Sequence, residues 1–270
     1  MGFRPTFSDP IFAEDLYFAG PHEDRARELN RMFADPQVKA IICARGGYGT
    51  NHLLPLLDRK VIRENPKVFL GYSDIATLLT YLSDSTGLVT FHGPMITKDF
   101  ARADGVDVDS LRAILGGKTC RFDTSGAVTL FEGVAEGRLY GGCLSMLGAS
   151  LGTPYEIHTE ETLLFVEDIA VKPYQIDRML MQLKYAGKLD GVKGIVFGEM
   201  LDCVQAAKQG YTLQDVIRRT LSGLAVPIIF GVRSGHVSRA NVTLPFGVRA
   251  RLNATFDSVE FQALEPATAD

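Results

Sequence analysis

The stretch Val68-Phe69-Leu70-Gly71-Tyr72-Ser73-Asp74-Ile75-Ala76-Thr77-Leu78-Leu79 decides how the rest of the chain is read. A short apolar run ends in Gly71, a single serine follows, and a helical pattern begins at once. Strand, sharp turn and helix form the setting of a nucleophile elbow, where a serine sits at a strained corner with its hydroxyl above the end of a sheet. The pattern is matched only in part, because no glycine stands two residues after Ser73. A helix N-cap accounts for the same residues, with Ser73 as the cap and Asp74 at the positive end of the dipole. On this stretch alone the cap is the simpler reading.

Upstream, Pro21 to Phe33 reads as a helix: Pro at its first turn, acids early, and Ala26, Leu29, Met32 and Phe33 on one face. Val38 to Ala44 is a β-type run apolar enough for a buried parallel strand. It ends in Arg45-Gly46-Gly47-Tyr48-Gly49-Thr50, a Gly-rich turn that brings bare backbone close to a ligand. The turn lacks the Lys-Ser/Thr of a phosphate loop and is not G-x-G-x-x-G, so it gives little support to nucleotide binding. It reads either as a tight turn or as an anion or oxyanion site, with Arg45 as a carboxylate clamp. Downstream, Leu88 to Met95 reads as another strand ending in a turn, with His92 as a buried, turn-packing histidine. Residues 101–119 read as a helix closed by Gly116-Gly117. Strands alternating with helices, with ligand-type loops at strand ends, predict an open parallel α/β sheet.

From Cys120 to Gly137 the composition shifts to short β-like pieces, which predicts a first domain over 1–122, a linker over 123–137 and a second domain over 138–270. In the second half, Gly137 to Leu147 reads as a Gly turn running into an apolar helix. Thr162 to Asp168 is a buried strand ending in two adjacent carboxylates. Side chains alternate along a strand, so Glu167 and Asp168 face opposite sides, one toward a cleft and the other toward solvent or a helix cap. Both as surface acids is the plainer reading. Pro173 to Leu183 and Leu213 to Leu221 read as helices, and Gly194 to Met200 and Val226 to Gly231 as strands. Ser234-Gly235-His236 follows the last of these, where a histidine beside a glycine can enter a cleft. Val242 to Leu252 and Ser258 to Phe261 alternate as antiparallel strands.

The totals narrow the function classes. The chain has 270 residues, 46% hydrophobic, with a net charge of −4 and no long basic run, so nucleic acid is not an expected partner. Four scattered cysteines (Cys43, Cys120, Cys143, Cys203) read as reduced residues of a cytosolic protein. The histidines show no metal-ligand spacing, so no metal or cofactor is expected. No apolar run is long enough to span a membrane, and none is expected as a partner. Met1 to Thr6 fits the bare myristoylation pattern, which is too loose to carry weight.

Ser73, Glu167 and His236 supply a hydroxyl, an acid and a base in that chain order, the parts an activated serine needs. The sequence also resembles the LD-carboxypeptidase family of serine peptidases, from about Tyr17 to Leu252. The resemblance rests on linked motifs: Ala44-Arg45-Gly46-Gly47-Tyr48-Gly49, Gly71-Tyr72-Ser73-Asp74-Ile75, Phe91-His92-Gly93-Pro94, Gly137-Arg138-Leu139-Tyr140-Gly141-Gly142, Leu164-Phe165-Val166-Glu167-Asp168, Ile176-Asp177-Arg178, and Gly235-His236 with Leu244-Pro245-Phe246-Gly247. It implies a Ser73-Glu167-His236 triad and an oxyanion hole from the backbone N–H of Asp74 and of Gly47. Arg45 and Gly46 are then the candidate substrate-binding residues, with Arg45, beside the oxyanion loop, as the cation for the substrate's free carboxylate. The implied fold is a flavodoxin-like or amidotransferase-like parallel-sheet domain followed by a β-rich α/β domain, with the site between them. Also implied are a cytoplasmic homodimer without metal and a murein tetrapeptide substrate that loses its terminal D-Ala at an L,D bond.

Family members usually begin with another strand and helix, so the first strand of the N-terminal sheet is expected to be missing here. The related immunity peptidases act on peptide-nucleotide antibiotics and often stack the base on Trp. This chain has no Trp, which favours the murein branch. A catalytically inactive murein-peptide-binding module is the competing reading.

Overall fold

The computed structural model describes residues 4–205 and 209–268. Met1-Gly2-Phe3 of the myristoylation pattern therefore lie outside the described residues. The first unit runs α1 (His22–Ala34), β1 (Ala40–Ile42), α2 (Arg59–Glu64), β2 (Val68–Gly71), α3 (Ala76–Thr86), β3 (Thr90–His92) and α4 (Val108–Leu115). The second runs β4 (Val128–Phe131), β5 (Gly133–Cys143), α5 (Leu144–Ser150), β6 (Thr162–Glu167), α6 (Pro173–Tyr185), β7 (Gly194–Gly198), α7 (Leu213–Leu221), β8 (Ile228–Val232), β9 (Leu244–Phe246), β10 (Arg249–Ala254) and β11 (Val259–Ala263).

Two sheets result. The first has the order β1-β2-β3-β9; β1, β2 and β3 are parallel and β9 joins antiparallel to β3. The second has the order β11-β10-β5-β6-β7-β8-β4, with a parallel centre of β5 to β8 and antiparallel flanks. Every residue of β6 and β7 is buried, which is why both read as continuous apolar runs. The expected class holds: a parallel-sheet first unit and a β-rich α/β second unit. β1 is the outer strand of the first sheet among the described residues.

The structure departs from the sequence reading in several places. Residues 137–143 are strand rather than turn, because β6 and β10 pair with β5 on its two sides. Helix α4 starts only at Val108, since the Asp107 side chain accepts from the Ser110 N–H and caps it there. Residues Asn51 to Leu57, whose pattern after the Gly-rich turn reads as helical, form short 3₁₀ turns instead, and α2 begins only where Asp58 caps Lys60 and Val61. The alternating run 242–252 splits into β9 and β10, which belong to different sheets. The second half of the chain thus completes the first sheet, and residues 123–137 carry β4 and the start of β5.

Helix α3 joins the two units. It packs on β3 of one sheet and β5 of the other, with Leu78, Leu79 and Leu82 no more than 2% exposed. Each buried leucine contributes about 2 kcal/mol by area. At its far end, the Tyr140 hydroxyl donates to Asp84 Oδ2 at 2.5 Å, and Arg138 lies over the Tyr140 ring at 4.4 Å. A single 3₁₀ turn, Ser73–Ile75, leads into the N-terminus of α3, so the same packing that joins the sheets holds this turn.

Candidate active site

Ser73 follows β2 at the mouth of the first sheet. Its φ is +66°, the left-handed region that an L-residue enters at a cost of about 1–2 kcal/mol. A plain N-cap takes an extended backbone instead, and here the extended cap position is held by Tyr72. The backbone therefore takes the elbow form that the sequence left open. The Asp74 side chain accepts from the Thr50 N–H at 3.1 Å, and the Thr50 hydroxyl donates to the Asp74 carbonyl at 2.8 Å. These bonds tie the elbow to the end of the Gly-rich loop. Burial pushes the Asp74 carboxyl up, against the pull of the Thr50 bonds and of Arg25 and His52.

The loop lies directly over the serine. A Cβ added to Gly46 would stand 2.7 Å from Ser73 Cβ, 2.9 Å from Ser73 Oγ and 3.5 Å from the Asp74 nitrogen. No other residue type fits there without moving the elbow. Gly47, beside it, has φ +128° and faces open space. Arg45 is exposed at the head of the same loop.

Glu167 ends β6 and is fully buried, which excludes the surface-acid reading. Its Oε2 accepts from the His236 backbone N–H at 3.0 Å and contacts His236 Nδ1 at 2.7 Å. Asp168 faces the other way, as strand alternation predicts. Its carboxylate accepts from the Ser145 N–H at 2.9 Å and the Ser145 hydroxyl at 2.7 Å, which caps α5. Of the two adjacent acids, the structure brings Glu167 to the histidine and leaves Asp168 to a helix.

An ionised carboxylate out of water costs several kcal/mol unless it is paired. Burial alone would raise the Glu167 value, but the hydrogen bonds from His236 and the nearness of the His236 and His92 rings outweigh it and hold the carboxyl near 2. Glu167 is therefore an acceptor, and the proton between it and His236 sits on Nδ1. Nε2 is then the basic nitrogen of the ring. A depressed carboxyl adds stability that is present above its ordinary value of 4.5 and is lost as pH falls toward about 2. Denaturation midpoints measured across that interval should fall more steeply for the wild type than for Glu167→Gln.

The His236 ring meets the Tyr72 ring edge-on, with centroids 5.0 Å apart, so it stands beside the residue before Ser73. Among the described residues no hydrogen bond joins the Ser73 hydroxyl to His236. Such contacts are commonly long without substrate and tighten in the complex. The His236 loop is held by Asn241, which is fully buried: its side chain accepts from the Gly235 N–H and donates to the Gly235 carbonyl, both at 3.0 Å. Gly235 has φ +92°, and a Cβ there would reach 2.6 Å from Glu167 Cδ. Asn241 carries no sequence signal, because it works through a turn that forms only in the fold. An open cleft of about 440 Å³, lined by Glu199, Arg233, Ser238 and Arg239 among others, lies beside this loop and does not include Ser73, Glu167 or His236.

Sequence profiles of the LD-carboxypeptidase N-terminal domain and C-terminal domain match residues 1–93 and 136–252. The chain belongs to the LD-carboxypeptidase family. A protein of Bacillus subtilis (strain 168) named "Probable murein peptide carboxypeptidase" is 39% identical, over 97% of this chain and 84% of its own. The solved muramoyltetrapeptide carboxypeptidase of Oxalobacter formigenes superposes with a TM-score of 0.84 at 31% identity, covering 96% of this chain and 88% of the other. The Escherichia coli microcin C7 self-immunity protein MccF is 30% identical over 98% of this chain and 85% of its own. A structure of MccF with glutamyl sulfamoyl guanosine superposes with a TM-score of 0.87 at 26% identity, covering 97% and 86%. Membership makes this chain an enzyme of the carboxypeptidase type. No helix among the described residues is long and apolar enough to cross a membrane.

Proposed function

We propose that this enzyme removes the terminal D-Ala from murein tetrapeptides at the L,D bond, through an acyl-enzyme on Ser73. The observation that carries the reading is the Glu167–His236 contact at 2.7 Å, set beside a serine in a strained elbow. His236 Nε2 takes the Ser73 proton, and Ser73 Oγ attacks the carbonyl before D-Ala. The N–H groups of Asp74 and Gly47 receive the oxyanion, His236 protonates the leaving amine, and water then resolves the ester. Glu167 keeps the ring in its tautomer and stabilises its charged form. Arg45 is the proposed cation for the free carboxylate of the substrate. A cytoplasmic homodimer working in cell-wall recycling completes the reading.

A second reading is supported by the likeness to MccF with its nucleoside-type ligand. Tyr48, on the Gly-rich loop, stacks with Phe18 at 5.7 Å between ring centroids, which leaves an aromatic face near the elbow even without Trp. One assay separates the readings. The protein is incubated with a murein tetrapeptide and, in parallel, with an aminoacyl sulfamoyl nucleoside, and the products are weighed. Free D-Ala from the first is the expected result. Cleavage of the second alone favours the immunity reading, and binding without product overturns both.

A further inference from the structure

Glu167 has two carboxylate oxygens, and the mechanism above uses one. Oε2 carries both contacts to His236. Oε1 is buried without a hydrogen-bond partner, 3.7 Å from His92 Nε2. That nitrogen is also buried and partnerless, and the His92 side chain is 0% exposed. Two polar atoms that water cannot reach thus face each other across the junction of the sheets, one from β3 and one from β6.

The other ring nitrogen shows where the proton lies. His92 Nδ1 is 2.9 Å from Ser234 Oγ, which is itself 3.4 Å from the His92 carbonyl oxygen. If the Ser234 hydroxyl donates to Nδ1, the single proton of a neutral ring is on Nε2. If it donates to the carbonyl instead, Nδ1 carries a proton, and a bare Nε2 would face the carboxylate lone pairs. Only a ring with a proton on Nε2 avoids that repulsion. The ring cannot turn away, because Phe246 stacks on it at 5.4 Å and Phe165 and Tyr72 close its sides at 5.0 and 6.0 Å.

We propose that His92 is a positioning residue, whose Nε2–H holds the second oxygen of Glu167 and so keeps the first on His236 Nδ1. It touches no substrate, since it has no exposed surface. A carboxylate held at one oxygen can swing about its terminal torsion, whereas one held at both presents a fixed lone pair to the imidazolium that forms during attack. The inference rests on the proposed function for its kinetic consequence, but the clamp itself can be seen without substrate.

The test compares wild type, His92→Phe and His92→Gln, the last returning an N–H near the Nε2 position. Hydrogen-bond partners that orient metal-ligating histidines are worth about 10–100-fold, and an orienting contact to a catalytic carboxylate is expected on the same scale. In His92→Phe, kcat is expected to fall by about that factor with KM unchanged, and His92→Gln to recover most of it. Independently of turnover, the NMR resonance of the His236 Nδ1–H should shift or broaden in His92→Phe and return in His92→Gln. An unaltered resonance in folded His92→Phe, or equal loss in both variants, overturns the proposal. Should His92→Phe fail to fold, NMR of the ring nitrogens in the wild type decides: a His92 ring whose only proton is on Nδ1, leaving a bare Nε2 toward Glu167, is equally fatal. A wild type that cleaves nothing would sink the proposed function, while the resonance still decides the clamp.

Discussion

Replacing Ser73 with alanine is expected to lower turnover of a tetrapeptide by about 10⁴–10⁶-fold while leaving its binding intact. Loss of a nucleophile from a unit that works together removes nearly all the chemistry the unit supplies, and only the backbone donors and substrate binding remain. The variant is a clean probe because alanine meets the same backbone demand as serine. The left-handed φ of +66° is as strained for one as for the other, and the removed hydroxyl takes part in no hydrogen bond of the described structure, so the melting temperature should not change. Gly46 gains a little room above the new methyl, and the loop does not need to move. Titration calorimetry with the tetrapeptide and a D-Ala release assay give the two numbers. Turnover within tenfold of the wild type would remove Ser73 from the mechanism.

Glu167→Gln is the second large effect, an expected loss of about 10³–10⁴-fold in kcat. Glutamine matches the shape of glutamate, but its amide has one acceptor end and one donor end. The acceptor end is needed on the His236 side, where the ring Nδ1 and the backbone N–H both approach Oε2. It is needed as well on the other side, 3.7 Å from His92 Nε2. Either orientation sets a donor against a donor, and with the NH₂ group toward His236 the ring is driven to the tautomer whose Nε2 cannot accept a proton. Exchange of an orienting carboxylate for its amide in a related constellation costs on the order of 10⁴ by this route. Single-turnover rates, which isolate acylation, are the measurement, and a variant within tenfold of the wild type would show that the carboxylate is not needed.

How much of this was legible in the chain differs from residue to residue. The strand-turn-helix around Ser73 was visible because its signals are local: an apolar run, a glycine and an amphipathic pattern within twelve residues. Helices α1, α6 and α7 were visible for the same reason, each with its own start signal and one apolar face. The helix expected over 101–119 came out shorter because the Asp107 cap competes with the longer pattern. The strand character of 137–143 was hidden, since its glycines read as a turn until two neighbouring strands are present to pair with them. Among the site residues, alternation along β6 showed that Glu167 and Asp168 must diverge, but not which would meet a histidine. His92 read as packing, and its burial bears that out, yet its contact with Glu167 had no trace in the sequence.

By itself the sequence determined the order of most elements, a strand, a turn and a helix around Ser73, and the linked motifs of the LD-carboxypeptidase family. These depend on hydrogen bonds and apolar periodicity that act over a few residues. Only the tertiary structure decided that β9 returns to the first sheet, that Asp168 is taken up by a helix, and that Glu167 stands between the imidazole of β3 and that of the loop after β8. Those choices depend on which buried polar groups find partners once α3 has drawn the sheets together, and that pairing is set by packing between segments far apart in the chain.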